Sequence, residues 1–284
     1  MNYLIAGATG YLGGHLVREM RRQDLDFRAI ARNPEKLKAD GLDTSQILVA
    51  QVTDPDSISG CCEGVDIVIS MVGITRQKDG LTYMDVDYKA NRNLLDEALR
   101  AGVQRFLYVS VLDGDRLRHL KICEAKERFV DDLKASGMDC IIVRPNGFFS
   151  DMADFLDMAK RGKVYLFGNG ESRINPIHGA DLAKVCLDVI DSKEKEIDVG
   201  GPEIFTQNQI AELALEAWGK TPVIAHLPDW MRKLTLWAAR TFTPVKTYGP
   251  LEFILTAMAS DNVAPCHGLH RLGDFFHERA QDQG

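Results

Sequence analysis

An α/β fold, a doubly wound parallel sheet with helices on both faces and a smaller C-terminal α+β lobe, is what this sequence predicts. Three observations carry that expectation. Short β-branched runs alternate with helical periods up to about residue 145. Strands such as Ile67-Val68-Ile69 are continuously apolar, as a sheet covered on both faces requires. A glycine-rich turn also joins the first strand to the first helix.

In chain order, the runs Tyr3–Ala6, Phe27–Ala31, Ile47–Ala50, Asp66–Met71, Arg105–Ser110 and Cys140–Arg144 read as strands. Helical periods fall between them, near 13–22, 55–62, 83–101 and 120–136, so right-handed crossovers build the sheet. Past Pro145 the alternation loosens into Gly-rich turns at Gly162, Gly168 and Gly170. Short strands over Val164–Phe167 and Ile197–Val199 follow, with helices near 179–191, 206–219, 229–241, 250–259 and 270–280. Residues 1–150 are therefore expected to form the core and 151–284 the smaller lobe. The sequence carries no repeat, low-complexity tract or flexible linker, so that lobe is expected to interleave with the core and pack on it.

Composition excludes several function classes. A hydrophobic content of 45% with 26% charged residues suits an ordered globular enzyme. The formal charge of −7, 41 acids against 34 bases, and the lack of a long basic block argue against nucleic acid as the primary partner. No apolar run approaches the ~18 residues of a transmembrane helix. The chain enters its first strand without a basic stretch or cleavage site, so no secretory signal is expected. Cysteines 61, 62, 123, 140, 186 and 266 follow no zinc-ligand spacing and read as reduced, mostly buried thiols of a cytoplasmic protein.

The turn after the first strand reads Gly7-Ala8-Thr9-Gly10-Tyr11-Leu12-Gly13-Gly14. Gly7 suits a tight turn, Gly10 a close backbone approach to a pyrophosphate, and Gly13 a helix packed on the sheet. Free N–H groups at the helix start then favour an anion. Together these features predict a Rossmann-type dinucleotide site formed by Gly7, Thr9, Gly10, Tyr11, Leu12 and Gly13. An NAD site would place an acid after the second strand, but this chain has Arg32, a donor fork suited to a 2′-phosphate. NADP(H) is expected over NAD(H). By position, Gln51 and Val52 are expected near the adenine, and Ser70 and Val72 at the cofactor's border.

The segments GATGYLG, ARNPEKL, YVSV, IIVRPNGFFSDM, INPIHGADLA, GGPEIFT and GLHRLGDFF span nearly the whole chain. On them the chain resembles the atypical short-chain dehydrogenase/reductase superfamily. The nearest branch is that of divinyl chlorophyllide reductase-like proteins and photosystem assembly factors. NmrA-like proteins and an accessory subunit of respiratory complex I stand further off. That branch mixes working reductases with proteins that bind the cofactor and do no chemistry.

The resemblance also implies a catalytic pair. Ordinary members use Tyr-x-x-x-Lys on one helix, with a serine at the preceding strand end. The matching residues here are Lys126 and Ser110, but Ile122 stands where the tyrosine would be. Lys126 is therefore the expected ribose ligand and, as in isoflavone-reductase-like relatives, a candidate proton donor. The expected activity is NADP(H)-dependent reduction of a carbonyl or activated alkene on a small apolar substrate. The alternative is a non-catalytic NADP(H)-binding redox sensor, regulator or assembly factor with a protein partner. A sugar epimerase is disfavoured by the missing tyrosine and by Arg32.

Other residues fit structural roles at least as well. Phe148 and Phe149 are candidates for either an apolar pocket or the core. His178 and Asp181 suit a turn and helix start. Cys266, His267 and His270 have metal-ligand chemistry without a fourth partner. The helix carrying Trp230, Lys233, Trp237 and Arg240 reads as a lid or packing helix, with peripheral membrane contact as its alternative.

Overall fold

Seven strands form the main sheet in the computed structural model, which describes residues 1–75 and 80–283. They are β1 (Tyr3–Ala6), β2 (Phe27–Ala31), β3 (Ile47–Val49), β4 (Ile67–Ser70), β5 (Arg105–Val109), β6 (Asp139–Pro145) and, much later in the chain, a strand over Glu196–Val199. The helices between them are α1 (Tyr11–Arg22), α2 (Glu35–Ala39), α3 (Asn91–Ala101) and α4 (Lys121–Ala135). From one edge the order runs β3-β2-β1-β4-β5-β6 and then Glu196–Val199. Neighbours are parallel, with Tyr3 opposite both Phe27 and Ile67, and Arg105 opposite Ile67 and Asp139. The winding direction reverses between β1 and β4, the place where open α/β sheets bind ligands at the strands' carboxyl ends.

The later elements are α5 (Ala153–Lys160), β7 (Val164–Phe167), β8 (Arg173–Ile174), α6 (Gly179–Asp188), β9 (Glu196–Val199) and β10 (Phe205–Thr206). They are followed by α7 (Gln207–Ala217), β11 (Ile224–Leu227), α8 (Asp229–Phe242), α9 (Val245–Ala257) and α10 (Leu272–Asp282). β7 and β11 pair parallel, and β8 and β10 antiparallel.

The chain divides into two compact units. The first holds Met1–Arg144 and Ala183–Ile197; the second holds Pro145–Leu182 and Asp198–Gly284. The division expected at residue 150 thus falls six residues earlier, and 183–197 returns to the first unit because its strand completes the sheet beside β6. One face of the first unit's core packs Leu4, Val68, Leu94, Leu95, Phe106 and Phe129. The second unit has its own core around Phe149, Phe155, Leu156, Ile210, Leu272 and Phe276.

The helix expected near 55–62 is a single 3₁₀ turn over Asp56–Ile58. Gly60 and Gly64, at φ +78° and +69°, take the chain into the left-handed region, which no helix can continue through. Five of the six cysteines are buried and all six are free thiols.

Candidate functional site

At the end of β1 the chain turns at Gly7, where φ is +89° and a Cβ would lie 2.9 Å from the backbone of Met71. A Cβ at Gly13 would overlap the Gly7 carbonyl oxygen and stand 2.7 Å from Ala8 Cα, so α1 lies directly against the turn. Gly10 differs: it is exposed, and a Cβ there would meet only the Gly7 oxygen, at 3.2 Å. No side chain caps α1, so its first N–H groups and the positive end of its dipole suit an anion. Gly7, Thr9, Gly10 and Tyr11 are open to solvent in part or fully, whereas Leu12 and Gly13 face inward. This donor set and this glycine-bound cradle fit a dinucleotide's pyrophosphate.

Arg32 is exposed directly after β2. Four residues on, the Lys36 ammonium donates to the Thr9 carbonyl oxygen at 2.6 Å, placing a cation against the loop. The sequence signal for Lys36 was its spacing of four from Arg32 at the start of a short helix. Gln51 is exposed, its side-chain amide donating to Thr53 Oγ1 at 2.7 Å. The Val52 carbonyl accepts from the Asn93 amide at 3.1 Å. Ser70 is buried, and its hydroxyl donates to Asn91 Oδ1 at 2.5 Å. The Asn91 amide in turn donates to the Val72 carbonyl at 3.1 Å. Asn91 thus sets the backbone course of the Ser70–Gly73 turn, which is expected from the sequence to lie at the cofactor's border.

Lys126 meets that turn from α4. Its ammonium lies 3.0 Å from Asp87 Oδ1, and a Cβ on Gly73 would stand 2.7 Å from both atoms. Only glycine lets the turn close on this pair. Asp87 is fully buried and sits inside Met84–Ala90, a stretch of π-helix that opens the long helix ending in α3. Asp87 Oδ2 accepts the Ile74 N–H at 3.3 Å. Burial raises the Asp87 carboxyl above the usual range, and the Lys126 charge opposes that rise. Burial works against the Lys126 ammonium, but the Asp87 carboxylate 3.0 Å away opposes it, and the lysine's pKa is raised. The Tyr108 ring lies 5.7 Å from the ammonium, and its buried hydroxyl has no hydrogen-bond partner among the described residues. Burial pushes that phenol up, so it stays protonated.

Asp87, Asn91 and Tyr108 were missed in the sequence. The available signal was polar residues on an apolar helical stripe, since Asp87 and Asn91 share the face of Leu94 and Ala98.

Ser110 and Lys126, expected in one site, are bound into different networks. The Ser110 hydroxyl donates to Glu127 Oε1 at 2.8 Å, and the buried Glu127 accepts a bidentate pair from Arg144 at 2.6 and 2.9 Å. Arg144 Nε continues to Glu196 at 3.0 Å. Ile122 is buried, with no polar atom to replace the phenol.

In the second unit, Phe149 belongs to the core and not to an open pocket, while Phe148 is half-buried. A cavity of about 260 Å³ there is lined by His178, His270, Arg271, Asp274, Phe275 and Glu278. The His178 and His270 rings stack at 4.2 Å. Asp181 Oδ1 lies 2.8 Å from His270 Nδ1, and Asp181 Oδ2 accepts the N–H groups of Leu269 and His270. Asp181 thus ties a distant loop to the start of α6. Among the described residues, no three His, Cys, Asp or Glu side chains are grouped to hold a metal ion.

Residues 7–193, which contain the glycine loop, Arg32 and Lys126, match the family model described as NAD(P)H-binding. The chain belongs to the NAD(P)H-binding family. This NAD(P)H-binding protein is 26% identical over 318 residues to divinyl chlorophyllide a 8-vinyl-reductase of Arabidopsis thaliana, covering 97% of this chain and 76% of that one. It is 23% identical over 241 residues to a photosystem II assembly factor of Trieres chinensis, covering 82% and 74%. Its fold is shared with an NADPH-dependent quinone oxidoreductase of Escherichia coli at a TM-score of 0.69, with 18% identity and 99% of each chain covered. A nucleoside-diphosphate-sugar epimerase of Staphylococcus aureus superposes at 0.73, with 16% identity over 98% of this chain and 100% of that one. The doubly wound fold and the likeness to divinyl chlorophyllide reductases, both expected from the sequence, are thus found.

Proposed function

We propose that this protein is an NADP(H)-dependent reductase acting on a carbonyl or activated alkene of a small apolar compound. The observation that carries it is Lys126, held charged by the buried Asp87 and closed upon by Gly73 at the cofactor border. Gly7, Thr9, Gly10 and Tyr11 would hold the pyrophosphate, with Leu12 and Gly13 shaping the loop from within. Arg32 and Lys36 would hold the 2′-phosphate, and Gln51 and Val52 would border the adenine. Asn91 and Ser70 would position the Val72 backbone against the cofactor.

NADPH, when bound, supplies a hydride. A reduction also needs a proton and a positive charge where electrons accumulate, and the Lys126 ammonium offers both. Asp87 reprotonates no one directly; it keeps Lys126 charged and oriented. Ser110 would act as a positioning residue, fixing Glu127 and through it the end of β6. The alkene class is supported by the vinyl-reductase relative.

A second reading is favoured by Ile122. With no phenol in its place, and an assembly factor among the relatives, the protein would bind NADP(H) and signal its occupancy to a protein partner.

The deciding experiment follows nicotinamide fluorescence as NADPH and NADH are added to wild type, Arg32→Ala and Lys36→Ala. Each charge-assisted phosphate bond contributes about 1.5–3 kcal/mol, so each variant should lose tenfold or more in NADPH affinity and little in NADH affinity. Equal affinity of the wild type for both nucleotides would remove the NADP(H) assignment. NADPH oxidation across carbonyls and enones, lost in Lys126→Met with binding retained, would then separate the reductase from the sensor.

A further inference from the structure

Helix α8 carries its aromatic residues on the outside. Trp230, Leu234 and Trp237 follow at i, i+4 and i+7 and are 62%, 51% and 59% exposed. Phe242, 75% exposed, ends the stripe with its ring 6.1 Å from that of Trp237. On the inner side α8 buries only Leu236, while Arg232 and Arg240 reach the Leu255 carbonyl and Glu252 of α9. α9 is inverted in the same sense. It reads Leu251-Glu252-Phe253-Ile254-Leu255, yet the residues it buries are Gly249 and the charged Glu252, while Leu251 is exposed and Phe253, Ile254 and Leu255 are half-buried. A pair of helices that buries a carboxylate and leaves rings outside presents an apolar surface with no protein cover among the described residues.

Charge identifies what covers it. Across α8 and α9 the bases Arg232, Lys233, Arg240 and Lys246 outnumber the acids Asp229 and Glu252, a local +2 in a chain of −7 overall. Lys233, on the same side of α8 as the stripe, and Lys246, in the first turn of α9, are both exposed. A second copy of this face would set like charges against each other, whereas an anionic lipid surface complements them. Tryptophan flanked by lysine is also the side-chain set that settles at the headgroup level of a bilayer. No helix of the described residues is long and apolar enough to cross a membrane, so the contact would be peripheral.

We propose that the α8–α9 face docks on anionic phospholipid bilayers. α8 lies in the interface plane, with Trp230, Leu234, Trp237 and Phe242 among the acyl chains and Lys233 and Lys246 at the headgroups. The proposal is independent of the cofactor and of any reaction.

The test is flotation of the full chain with phosphatidylcholine vesicles, with and without phosphatidylglycerol, followed by tryptophan emission. Binding to the anionic vesicles is expected, weakening with salt. Emission should shift to the blue and be quenched by brominated acyl chains. Trp218, whose indole N–H donates to the Leu156 carbonyl at 3.0 Å, should be spared and left as the residual signal. Trp230→Ser/Trp237→Ser and, separately, Lys233→Glu/Lys246→Glu should each weaken partition about tenfold or more, with nicotinamide nucleotide affinity and unfolding midpoint unchanged. The lysine pair keeps the test decisive if the tryptophan pair does not fold. Failure to float with anionic vesicles, or unchanged flotation of both variants, would overturn the proposal. So would a dimer abolished by the tryptophan substitutions in a protein that ignores vesicles, which would assign the face to a second copy.

Discussion

Gly10 and Gly13 stand three residues apart in one loop, yet a methyl group added to each meets different surroundings. At Gly13 it overlaps the Gly7 oxygen and crowds Ala8, so Gly13→Ala must push α1 off the turn. At Gly10 it meets one oxygen at 3.2 Å and otherwise points outward. Gly10→Ala is therefore expected to unfold within about 1 kcal/mol of wild type while losing most nucleotide affinity, and Gly13→Ala to lose about 3 kcal/mol or more by overpacking. Urea unfolding beside nicotinamide fluorescence separates the two; equal loss of stability would make Gly10 a packing glycine. Lys126 and Asp87 give the second contrast. Removing one partner of a buried pair strands the other and costs about 3–5 kcal/mol. Lys126→Met alone should therefore be less stable than Lys126→Met/Asp87→Leu, and simple additivity in unfolding experiments would refute the pairing. The glycines could be singled out in the sequence because each sits at a fixed step from the first strand, and Lys126 because the family resemblance points to that position. Asp87 and Tyr108 could not, because local periodicity does not show that a helix near 87 and a strand near 108 meet at one lysine.

Elements with strong local signals appear where the pattern puts them. β1 and β2 begin and end at the expected residues, and the helix expected over 83–101 runs through Met84–Ala101. The pieces that escaped notice are short or depend on distant partners: α2, α5, β8, β10 and β11. The start of the 83–101 helix shows how a local device fixes an element. The Thr82 N–H and hydroxyl donate to Asp85 Oδ2 at 3.0 and 2.6 Å, and the Asp85 N–H returns to Thr82 Oγ1 at 3.2 Å. These bonds from Thr82, with Lys89 at 3.0 Å, lower the Asp85 carboxyl to about 2. The folded value lies below that of the unfolded chain, near 3.9. The stabilisation is therefore complete above about pH 4 and is lost as pH falls through about 2. Asp85→Ala should cost about 1 kcal/mol near neutral pH and flatten the dependence of stability on pH between those values. Urea unfolding across that range measures it, and an unchanged slope would show that the carboxylate does not cap the helix.

Over the whole chain, the feature least visible in the sequence is that the first unit is built from two separate segments. A short alternating piece such as Ile197-Asp198-Val199 reads as a strand whichever sheet receives it, so its return beside β6 leaves no local mark. The contacts that bring it back are specific. Lys195 accepts the Ile142 N–H at 2.8 Å through its carbonyl and pairs with Asp139 through its ammonium. The Ile190 carbonyl accepts from Arg105, and Glu196 pairs with Arg144. Ala183, Cys186 and Ile190 are buried within the returning segment. Cutting the chain after residue 150 would therefore expose the β6 edge and strip Arg105, Asp139 and Arg144 of partners that lie far along the chain. A 1–150 fragment is expected to aggregate or unfold without cooperativity. The same fragment joined through a Gly/Ser linker to residues 183–199 should fold and bind nicotinamide nucleotide. Ligand at a hundred times its dissociation constant adds about 2.7 kcal/mol to whatever unit binds it, so the joined fragment should gain the same increment as the full chain. Circular dichroism during urea unfolding, with and without nucleotide, reads both quantities. A 1–150 fragment that unfolds cooperatively at the full chain's midpoint would mean that the dinucleotide unit ends at β6 and that 183–197 only passes beside it.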